Sequence, residues 1–211
     1  MQTLRLCLAR HGETDWNAEG RVQGQLDIPL NRHGLRQADA LGRALADVRF
    51  DAICSSDLLR AQRTALPLAE ATGLQVTALA GWRERHHGRM QGQTYEELAG
   101  SWPEGHRRLR ARDPGFDVDG GESLIALAER CARGLAALRA RHAGGSVLLV
   151  THGGVLDAVH RLISGQPLHE PRRVSIRNCA YHWLRHDGHA WCVESWGCEA
   201  HLDGARDELP A

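Results

Sequence analysis

The stretch that decides the fold is Leu4–Gly12 (LRLCLARHG), and it has a counterpart in Ser146–Gly154 (SVLLVTHGG). In both, a short apolar run typical of a β-strand leads to a histidine that is followed by glycine. Further apolar runs alternate with helical patterns, and Asp187-Gly188 separates two strand-like runs near the end of the chain. The pattern predicts an α/β fold: a three-layer α/β/α sandwich with a largely parallel sheet and an antiparallel edge hairpin near the C-terminus.

Several residues predict where particular helices begin and which side they bury. Asn31 is expected to cap a helix whose inner face includes Leu35. Asp57 is expected to open the next helix, and Pro67 should kink that helix or restart it. The stretch 82–121 has no clean strand and contains glycines, prolines and short helical patterns. We therefore expect one domain over 1–211, in which 82–121 forms a small helical lid insertion.

The bulk properties of the chain exclude several classes of protein. Its 26 basic and 26 acidic side chains give no net charge, which argues against a nucleic-acid or membrane-surface partner. The first residues are too charged for a signal peptide, and no apolar run reaches the roughly 18 residues of a membrane span. The six cysteines are scattered without a CxxC pair, as expected of reduced, mostly buried thiols. A cytoplasmic protein is the resulting expectation.

The two histidines that follow the strands, His11 and His152, are the first candidates for a functional site. The carboxyl ends of strands in an α/β sheet are where ligands bind, and a helix N-terminus favours an anion. A single His-Gly pair among 13 histidines would more often be structural. Two pairs in equivalent positions, one of them preceded by Arg10, favour a functional site.

Leu8–Thr14 (LARHGET) resembles the signature of the histidine phosphatase superfamily, which includes the phosphoglycerate mutases. The resemblance continues through most of the chain in the same order. The other matching segments are Trp16-Asn17, 21–30, 55–61, Glu84 with Gly88 and Gly92, 120–123, 151–154 and, more weakly, Asn178 and His201-Leu202. The resemblance implies an enzyme that moves phosphoryl groups through a phosphohistidine.

The resemblance also implies roles for three catalytic residues. His11 would be the nucleophile, and His152 would donate a hydrogen bond to the transferred phosphoryl group. An imidazole with an ordinary pKa near 6.5 is largely neutral at pH 7, so either ring could attack, and the residues alone do not distinguish them. Glu84 would protonate the leaving oxygen and then activate water. The alternative for Glu84 is a solvated lid residue paired with Arg83 or Arg85.

Positive groups are expected to hold the phosphate. Arg10 and Arg60 can each present a planar fork to phosphate oxygens, with Asn17 as a further phosphate contact. Gln23, Gly24 and Gly153 are expected to contact substrate. Residues with expected structural or solvated roles are Glu13, Arg63, the lid arginines Arg107, Arg108, Arg110 and Arg112, and the hairpin histidines His182, His186 and His189.

Neither a metal nor a cofactor is predicted. The adjacent pair His86-His87 would project in different directions and has no third ligand at a familiar spacing. The sequence contains no Walker loop and no HExxH motif. A metal-dependent hydrolase is therefore disfavoured.

The expected function is a metal-independent phosphatase of a small phosphorylated metabolite, and a phosphoglycerate mutase is the alternative. The segment from Glu84 to Gly88 resembles that of cofactor-dependent mutases. The lid, however, is short, and a small lid should leave a phosphoenzyme open to water. A phospho-ligand sensor without turnover is disfavoured because no residue of the expected site is missing. The terminal hairpin, with Trp183, Trp191 and Trp196, could either mediate a homodimer or cover the core.

Overall fold

The computed structural model describes residues 3–204 and 206–207. Its strands are β1 Leu4–Arg10, β2 Ala52–Ser55, β3 Val76–Ala78, β4 Ser146–Thr151, β5 Tyr181–His186 and β6 Trp191–Cys198. They form one sheet in the order β3-β2-β4-β1-β5-β6. The first four strands run parallel, whereas β5 pairs antiparallel with β1 and β6 pairs antiparallel with β5. The predicted parallel sheet with an antiparallel edge hairpin is confirmed.

Seven helices flank or cover this sheet within the described residues. They are α1 Asp15–Glu19, α2 Arg32–Leu45, α3 Leu59–Thr72, α4 Tyr95–Ser101, α5 Pro103–Arg110, α6 Leu124–His142 and α7 Gly153–Ser164. Two short 3-10 turns, Ala80–Trp82 and Gly88–Met90, precede α4. None of the described helices is long and apolar enough to cross a bilayer.

Alternate residues of the central strands pack against opposite helical layers. Leu8 and Leu149 belong to the core that includes residues of α6 and α7, whereas Cys7 and Leu148 belong to the core with α2 and α3. Because both faces are covered, these strands read as nearly continuous apolar runs. A third, smaller apolar cluster lies within the segment 82–121 and is joined by Val22.

Three details of the helices differ from expectation. Asn31 does cap α2, accepting a hydrogen bond from the backbone N–H of Gly34, but Leu35 is 49% exposed rather than on the inner face. The helix α3 begins at Leu59, not at Asp57, because the carboxylate of Asp57 instead pairs with Arg83 at 2.7 Å. Pro67 does not restart the helix, since α3 continues through it to Thr72, and the alternative of a kink stays a prediction.

The prediction that His182 and His186 are surface residues is wrong. They lie on β5, a strand with neighbours on both sides, and both are buried. The His182 ring stacks on Trp196 with centroids 3.9 Å apart, and burial lowers its pKa to about 3. His189, in the hairpin turn, is exposed as predicted. The histidines of β5 therefore contribute to the packing of the sheet.

The thiols agree with the expectation of reduced cysteines. All six are free: four of them, Cys7, Cys54, Cys131 and Cys179, are buried, and the other two are partly exposed. Burial raises the pKa of Cys131 to about 12 and makes this thiol unreactive.

Candidate active site

The sheet brings the two candidate histidines together. Because Arg10 on β1 pairs with Thr151 on β4, the next residue of each chain segment is a histidine at the same edge. The backbone N–H of His11 donates to the Thr151 carbonyl at 2.9 Å. The rings of His11 and His152 lie 5.1 Å apart between centroids, with their planes at 57°. Strand register alone therefore creates a histidine pair.

Local hydrogen bonds select one ring nitrogen of His11. Its Nδ1 lies 2.7 Å from the backbone carbonyl of Gly12, an acceptor, so Nδ1 carries the proton and Nε2 keeps a lone pair. The loop is fixed by Asn178, whose amide donates to the His11 carbonyl at 2.9 Å, and by Thr64, whose hydroxyl accepts from the Gly12 N–H at 2.9 Å. His11 thus presents an unprotonated nitrogen from a rigid loop.

Burial and nearby positive charge keep both rings neutral. The pKa of His11 lies well below its ordinary 6.5, first because the ring is buried and then because Arg60 and Arg10 repel a proton. The pKa of His152 is lowered by burial first, then by Arg60 and by His11 itself. Neither ring nitrogen of His152 has a hydrogen-bond partner among residues 3–204 and 206–207. A group supplied by a ligand is therefore the natural partner of His152.

Two buried arginines sit beside the histidines and are held by backbone carbonyls. Arg10 donates from Nη1 to Ile176 at 2.8 Å. Arg60 donates from Nη1 to Leu26 and from Nη2 to Gly24, both at 2.7 Å. Both side chains are almost completely buried. Carbonyl anchors fix the direction of each guanidinium, and the pair places two buried cations beside the histidines.

Glu84 reaches the same site from the segment that follows β3. Its Oε2 accepts from the Gly154 N–H at 3.0 Å, and its Oε1 accepts from the Arg85 N–H at 2.7 Å. The carboxylate is nearly buried, at 7% exposure, and the solvated ion pair with Arg83 is not formed because Arg83 binds Asp57. The contact with Gly154 places Glu84 at the first turn of α7.

Gly154 has no side chain because the Glu84 carboxylate occupies that space. A Cβ at this position would lie 2.5 Å from Glu84 Oε1, too close for any real contact. We expect Gly154→Ala to displace the carboxylate and to lower kcat/KM by about tenfold or more for alkyl phosphates. The loss should be smaller for aryl phosphates, whose leaving groups need less protonation.

The matched control is Gly100→Ala on α4, where no atom lies within 4 Å of the added methyl group. Steady-state kinetics on one alkyl and one aryl phosphate check the prediction. Equal losses on both esters would separate Glu84 from protonation of the leaving group.

A cavity of about 340 Å³ joins these residues, and its walls include all but one of the predicted site residues. Those on the walls are Arg10, His11, Asn17, Gln23, Gly24, Arg60, Glu84 and Gly153. His152, which is fully buried, is the exception, although its ring lies 5.1 Å from that of His11 between centroids. The structure therefore brings the predicted residues together around one space.

Asn17, expected to contact phosphate, and Gln23, expected to contact substrate, have polar side-chain atoms that suit such contacts. Asn17 accepts at Oδ1 from the backbone N–H of Thr14 at 3.1 Å, and its amide nitrogen donates to no described residue. The side-chain oxygen of Gln23 is buried without a partner among the described residues. Gly24 adopts a positive φ of 54°, which places its carbonyl under Arg60. Glu13 instead accepts from Asn31 and Arg206, in line with a structural role.

A profile of the histidine phosphatase superfamily (branch 1) matches residues 6–199. The chain belongs to the histidine phosphatase superfamily. A probable phosphoglycerate mutase, GpmB of Klebsiella pneumoniae, is 38% identical over an alignment of 212 positions that covers 98% of this chain and 99% of that protein. Phosphoglycerate mutase-like protein 4 of Arabidopsis thaliana is 36% identical over 203 residues, covering 94% and 86%. A mycobacterial glucosyl-3-phosphoglycerate phosphatase has a structure that superposes with a TM-score of 0.83, at 32% identity, covering 94% of this chain and 100% of that one.

In this histidine phosphatase, Arg130 is a positioning residue that sequence reasoning missed. Its guanidinium forms a two-pronged pair with Glu122 and donates to the carbonyls of Arg83 at 2.8 Å and Glu84 at 3.3 Å. Arg130 therefore ties the Glu84 segment to α6. No motif marks it, because the two carbonyls that it binds are 47 and 46 residues away in sequence.

The lid arginines do not form a uniform solvated face. Arg107 and Arg108 pair with nearby carboxylates at 2.7 and 2.6 Å, and Arg107 is well exposed. Arg110 and Arg112 instead line the cavity, and Arg112 is buried. The expectation is wrong for Arg112 because the chain turns at this residue, after α5 has ended, with φ at 49°.

The depressed histidine pKa values predict protonation behaviour in mild acid. His11 and His152 should remain neutral at about pH 6, where histidines of an unfolded chain are mostly protonated. Since each pKa lies below 6.5, the neutral form is lost only as the pH falls further. NMR of the ring nitrogens in histidine-labelled protein measures the titration midpoint of each histidine, with the urea-unfolded chain as the reference. A titration midpoint of His11 at or above 6.5 would contradict the prediction.

Proposed function

We propose that this enzyme is a metal-independent phosphatase that hydrolyses phosphomonoesters through a phosphohistidine on His11. The observation that carries the proposal is the neutral Nε2 of His11, presented to a cavity beside two carbonyl-anchored arginines. Those guanidinium groups supply the positive charge that a metal supplies in other phosphatases. Glu84 completes the arrangement with a carboxyl group on the wall of the same cavity.

In the first step, Arg10, Arg60 and Asn17 bind the phosphoryl oxygens. The lone pair of His11 Nε2 attacks phosphorus in line, and the ester P–O bond breaks with its electron pair on the leaving oxygen. Glu84, in its protonated form, gives that oxygen a proton. His152 donates a hydrogen bond to the transferred group and so uses a nitrogen that has no partner among the described residues.

In the second step, water attacks the phosphohistidine and the P–N bond breaks. Glu84, now ionised, accepts a proton from that water, and His11 regains its lone pair. The reverse assignment, with His152 as nucleophile, is less well supported because a hydrogen bond fixes the tautomer of His11, whereas neither ring nitrogen of His152 has a partner among the described residues.

A phosphoglycerate mutase is the second candidate function, and the names of two relatives favour it. Such an enzyme must keep water from the phosphohistidine while its intermediate reorients. The lid that we propose for 82–121 has only two short helices, α4 and α5, of seven and eight residues. This small cover supports hydrolysis over transfer, and a related structure carries the name of a phosphatase.

The cavity and the cysteines support a proposal for the size of the substrate and for the location of the protein. The cavity of about 340 Å³ suits a small phosphorylated metabolite rather than a nucleic acid. Six free thiols support a cytoplasmic location. We propose a single domain over 1–211. A homodimer through the edge strand β6 stays a prediction, while Trp183 and Trp196 pack on Phe50 and His182 as core cover.

A phosphomonoester panel assayed in EDTA tests this function. Phosphate release and 3-phosphoglycerate isomerisation are followed together in the same reactions. We expect release that chelation does not reduce, with little isomerisation. Isomerisation with little release would make the enzyme a mutase, and release that EDTA abolishes would contradict the metal-free reaction.

A further inference from the structure

The hydroxyl of Thr64 links the helix that carries Arg60 to the loop that carries His11. Thr64 lies on α3, one helical turn after Arg60, and is 2% exposed. Its hydroxyl donates to the Arg60 carbonyl at 2.7 Å and accepts from the Gly12 N–H at 2.9 Å. Because a carbonyl can only accept and an N–H can only donate, the direction of both bonds is fixed. Thr64 therefore joins α3 to the histidine loop through one oriented hydroxyl group.

Only one of these two bonds is unusual for a threonine in a helix. A threonine hydroxyl often bonds to the carbonyl one turn earlier in its own helix. Thr72, also on α3, does so by donating to the Leu68 carbonyl at 2.7 Å. The bond from the Gly12 N–H to Thr64 instead spans 52 residues and reaches the residue that follows His11. The local bond needs no functional explanation, whereas the long-range bond does.

Gly12 holds the ring proton of His11 in place. Its carbonyl lies 2.7 Å from His11 Nδ1, the contact that leaves the lone pair on Nε2. The peptide group between His11 and Gly12 is anchored at both ends, because its carbonyl accepts from Asn178 and its N–H donates to Thr64. The orientation of the Gly12 backbone therefore depends on the Thr64 hydroxyl.

Gly12 needs such anchors because it has no side chain to restrict its backbone. A Cβ at this position would lie 2.6 Å from the Gly34 carbonyl oxygen, so the close packing requires glycine. Glycine has more backbone freedom than any other residue. Without the Thr64 hydroxyl, the N–H of the buried Gly12 would lose its partner. A rotation that finds another acceptor would turn the Gly12 carbonyl away from His11.

We propose that Thr64 is a positioning residue for phosphoryl transfer: its hydroxyl orients the Gly12 backbone, which holds the proton on His11 Nδ1 and leaves Nε2 as the attacking nitrogen. This inference rests on the proposed function, which makes His11 the nucleophile. Thr64 acts through Gly12, since it does not line the cavity within the part of the chain that the structure describes. Its loss should therefore slow the attack on phosphorus and leave phosphate binding in place.

The variant Thr64→Val tests the proposal, because valine keeps the shape of threonine and removes the hydroxyl. With enzyme in excess over p-nitrophenyl phosphate, the release of p-nitrophenol measures formation of the phosphohistidine alone. We expect the saturating rate of this step to fall by about tenfold or more, since a displaced nucleophile reacts slowly. The inhibition constant of inorganic phosphate should stay within about twofold of the wild type, because Arg10, Arg60 and Asn17 are unchanged.

The tautomer of His11 is a second readout, which a merely structural role of Thr64 would not change. NMR of the ring nitrogens in the histidine-labelled wild type should show a proton on Nδ1 and none on Nε2. In Thr64→Val, the two nitrogen signals should move towards each other as the second tautomer becomes populated. A slower rate with unchanged nitrogen signals, or an unchanged rate, would overturn the proposal.

Two further variants separate the effect of the hydroxyl from an effect on the helix. Thr64→Ser keeps the hydroxyl and should restore the wild-type rate and nitrogen signals. Thr72→Val removes the same kind of local bond from α3 and should leave both unchanged. A loss in Thr64→Ser as large as that in Thr64→Val, or an equal loss in Thr72→Val, would overturn the proposal.

The stability of the variant does not decide the outcome. If Thr64→Val does not fold by circular dichroism, Thr64→Ala takes its place with the same expectations. If neither folds, the Gly12 amide of the wild type decides. Slow exchange of its proton with solvent, together with a single His11 tautomer, would support the proposal, and rapid exchange would overturn it.

Failure of this inference can be told apart from failure of the proposed function. A wild-type enzyme that forms a phosphohistidine at His11, together with an equally fast Thr64→Val, would keep the phosphatase and remove the role of Thr64. A wild-type enzyme that forms no phosphohistidine would remove the proposed function, and the role of Thr64 with it.

Discussion

The variant His11→Ala should lose activity by about 10⁴-fold or more in kcat, because removal of a covalent nucleophile leaves only binding and electrostatic stabilisation. The fold should be preserved, since among the described residues the ring forms a hydrogen bond only with the neighbouring Gly12 carbonyl. Phosphate release in EDTA measures the loss, and thermal unfolding followed by circular dichroism checks the fold. The expected combination is an inactive enzyme that unfolds near the wild-type temperature.

His189→Ala is the matched control for this variant, because His189 is an exposed histidine of the hairpin turn. It should keep wild-type kinetics. The variant His152→Ala should bind a phosphomonoester weakly and hydrolyse it slowly, but its residual activity should be measurable. If His11→Ala kept activity while His152→Ala abolished it, the nucleophile would be His152, and the tautomer argument for His11 would be wrong.

The variant Arg60→Lys should lower kcat/KM by about 10²-fold although the positive charge is kept. Arg60 uses Nη1 and Nη2 to bind the Leu26 and Gly24 carbonyls, and this fixes the plane of the guanidinium beside the histidines. A lysine has one nitrogen, so it cannot hold both carbonyls and a phosphate oxygen in the same geometry. Steady-state kinetics with a single phosphomonoester measures the effect.

Arg63→Lys is its control, because Arg63 lies on the same helix α3 and is exposed. That variant should be indistinguishable from the wild type. A fully active Arg60→Lys enzyme would show that charge alone suffices at this position and that the fork is not used. A loss in both variants would point instead to a general effect on α3.

Much of the fold was predictable because strand and helix patterns are local. The runs that contain Leu8 and Val150 show buried parallel strands, and Asp187-Gly188 shows the hairpin. Residue exposure was harder to predict, because it depends on distant neighbours. His182 reads as a polar hairpin residue, yet it is covered by Trp196 and by the strands beside it. Asp57 reads as a helix cap, yet Arg83 competes for its carboxylate.

The site residues could be predicted because strand ends and a family signature are visible in the sequence. The arginines that support or extend the site were not predictable in the same way. Arg130 acts through the backbone carbonyl of Glu84, and carbonyl acceptors leave no signal in a sequence. Arg112 belongs to the same arginine-rich stretch as the exposed Arg107, and nothing in that stretch marks it as different. The left-handed backbone at Arg112, after α5 has ended, directs its side chain to the cavity.

The most direct test of the phosphohistidine is to trap it with a substrate labelled at phosphorus. The enzyme is quenched in alkali, in which a histidine P–N bond survives, and the labelled peptide is identified by mass spectrometry. We predict one phosphoryl group on the peptide that contains His11, and none on the same peptide of His11→Ala. Label on the peptide that contains His152, or equal label in His11→Ala, would contradict the account.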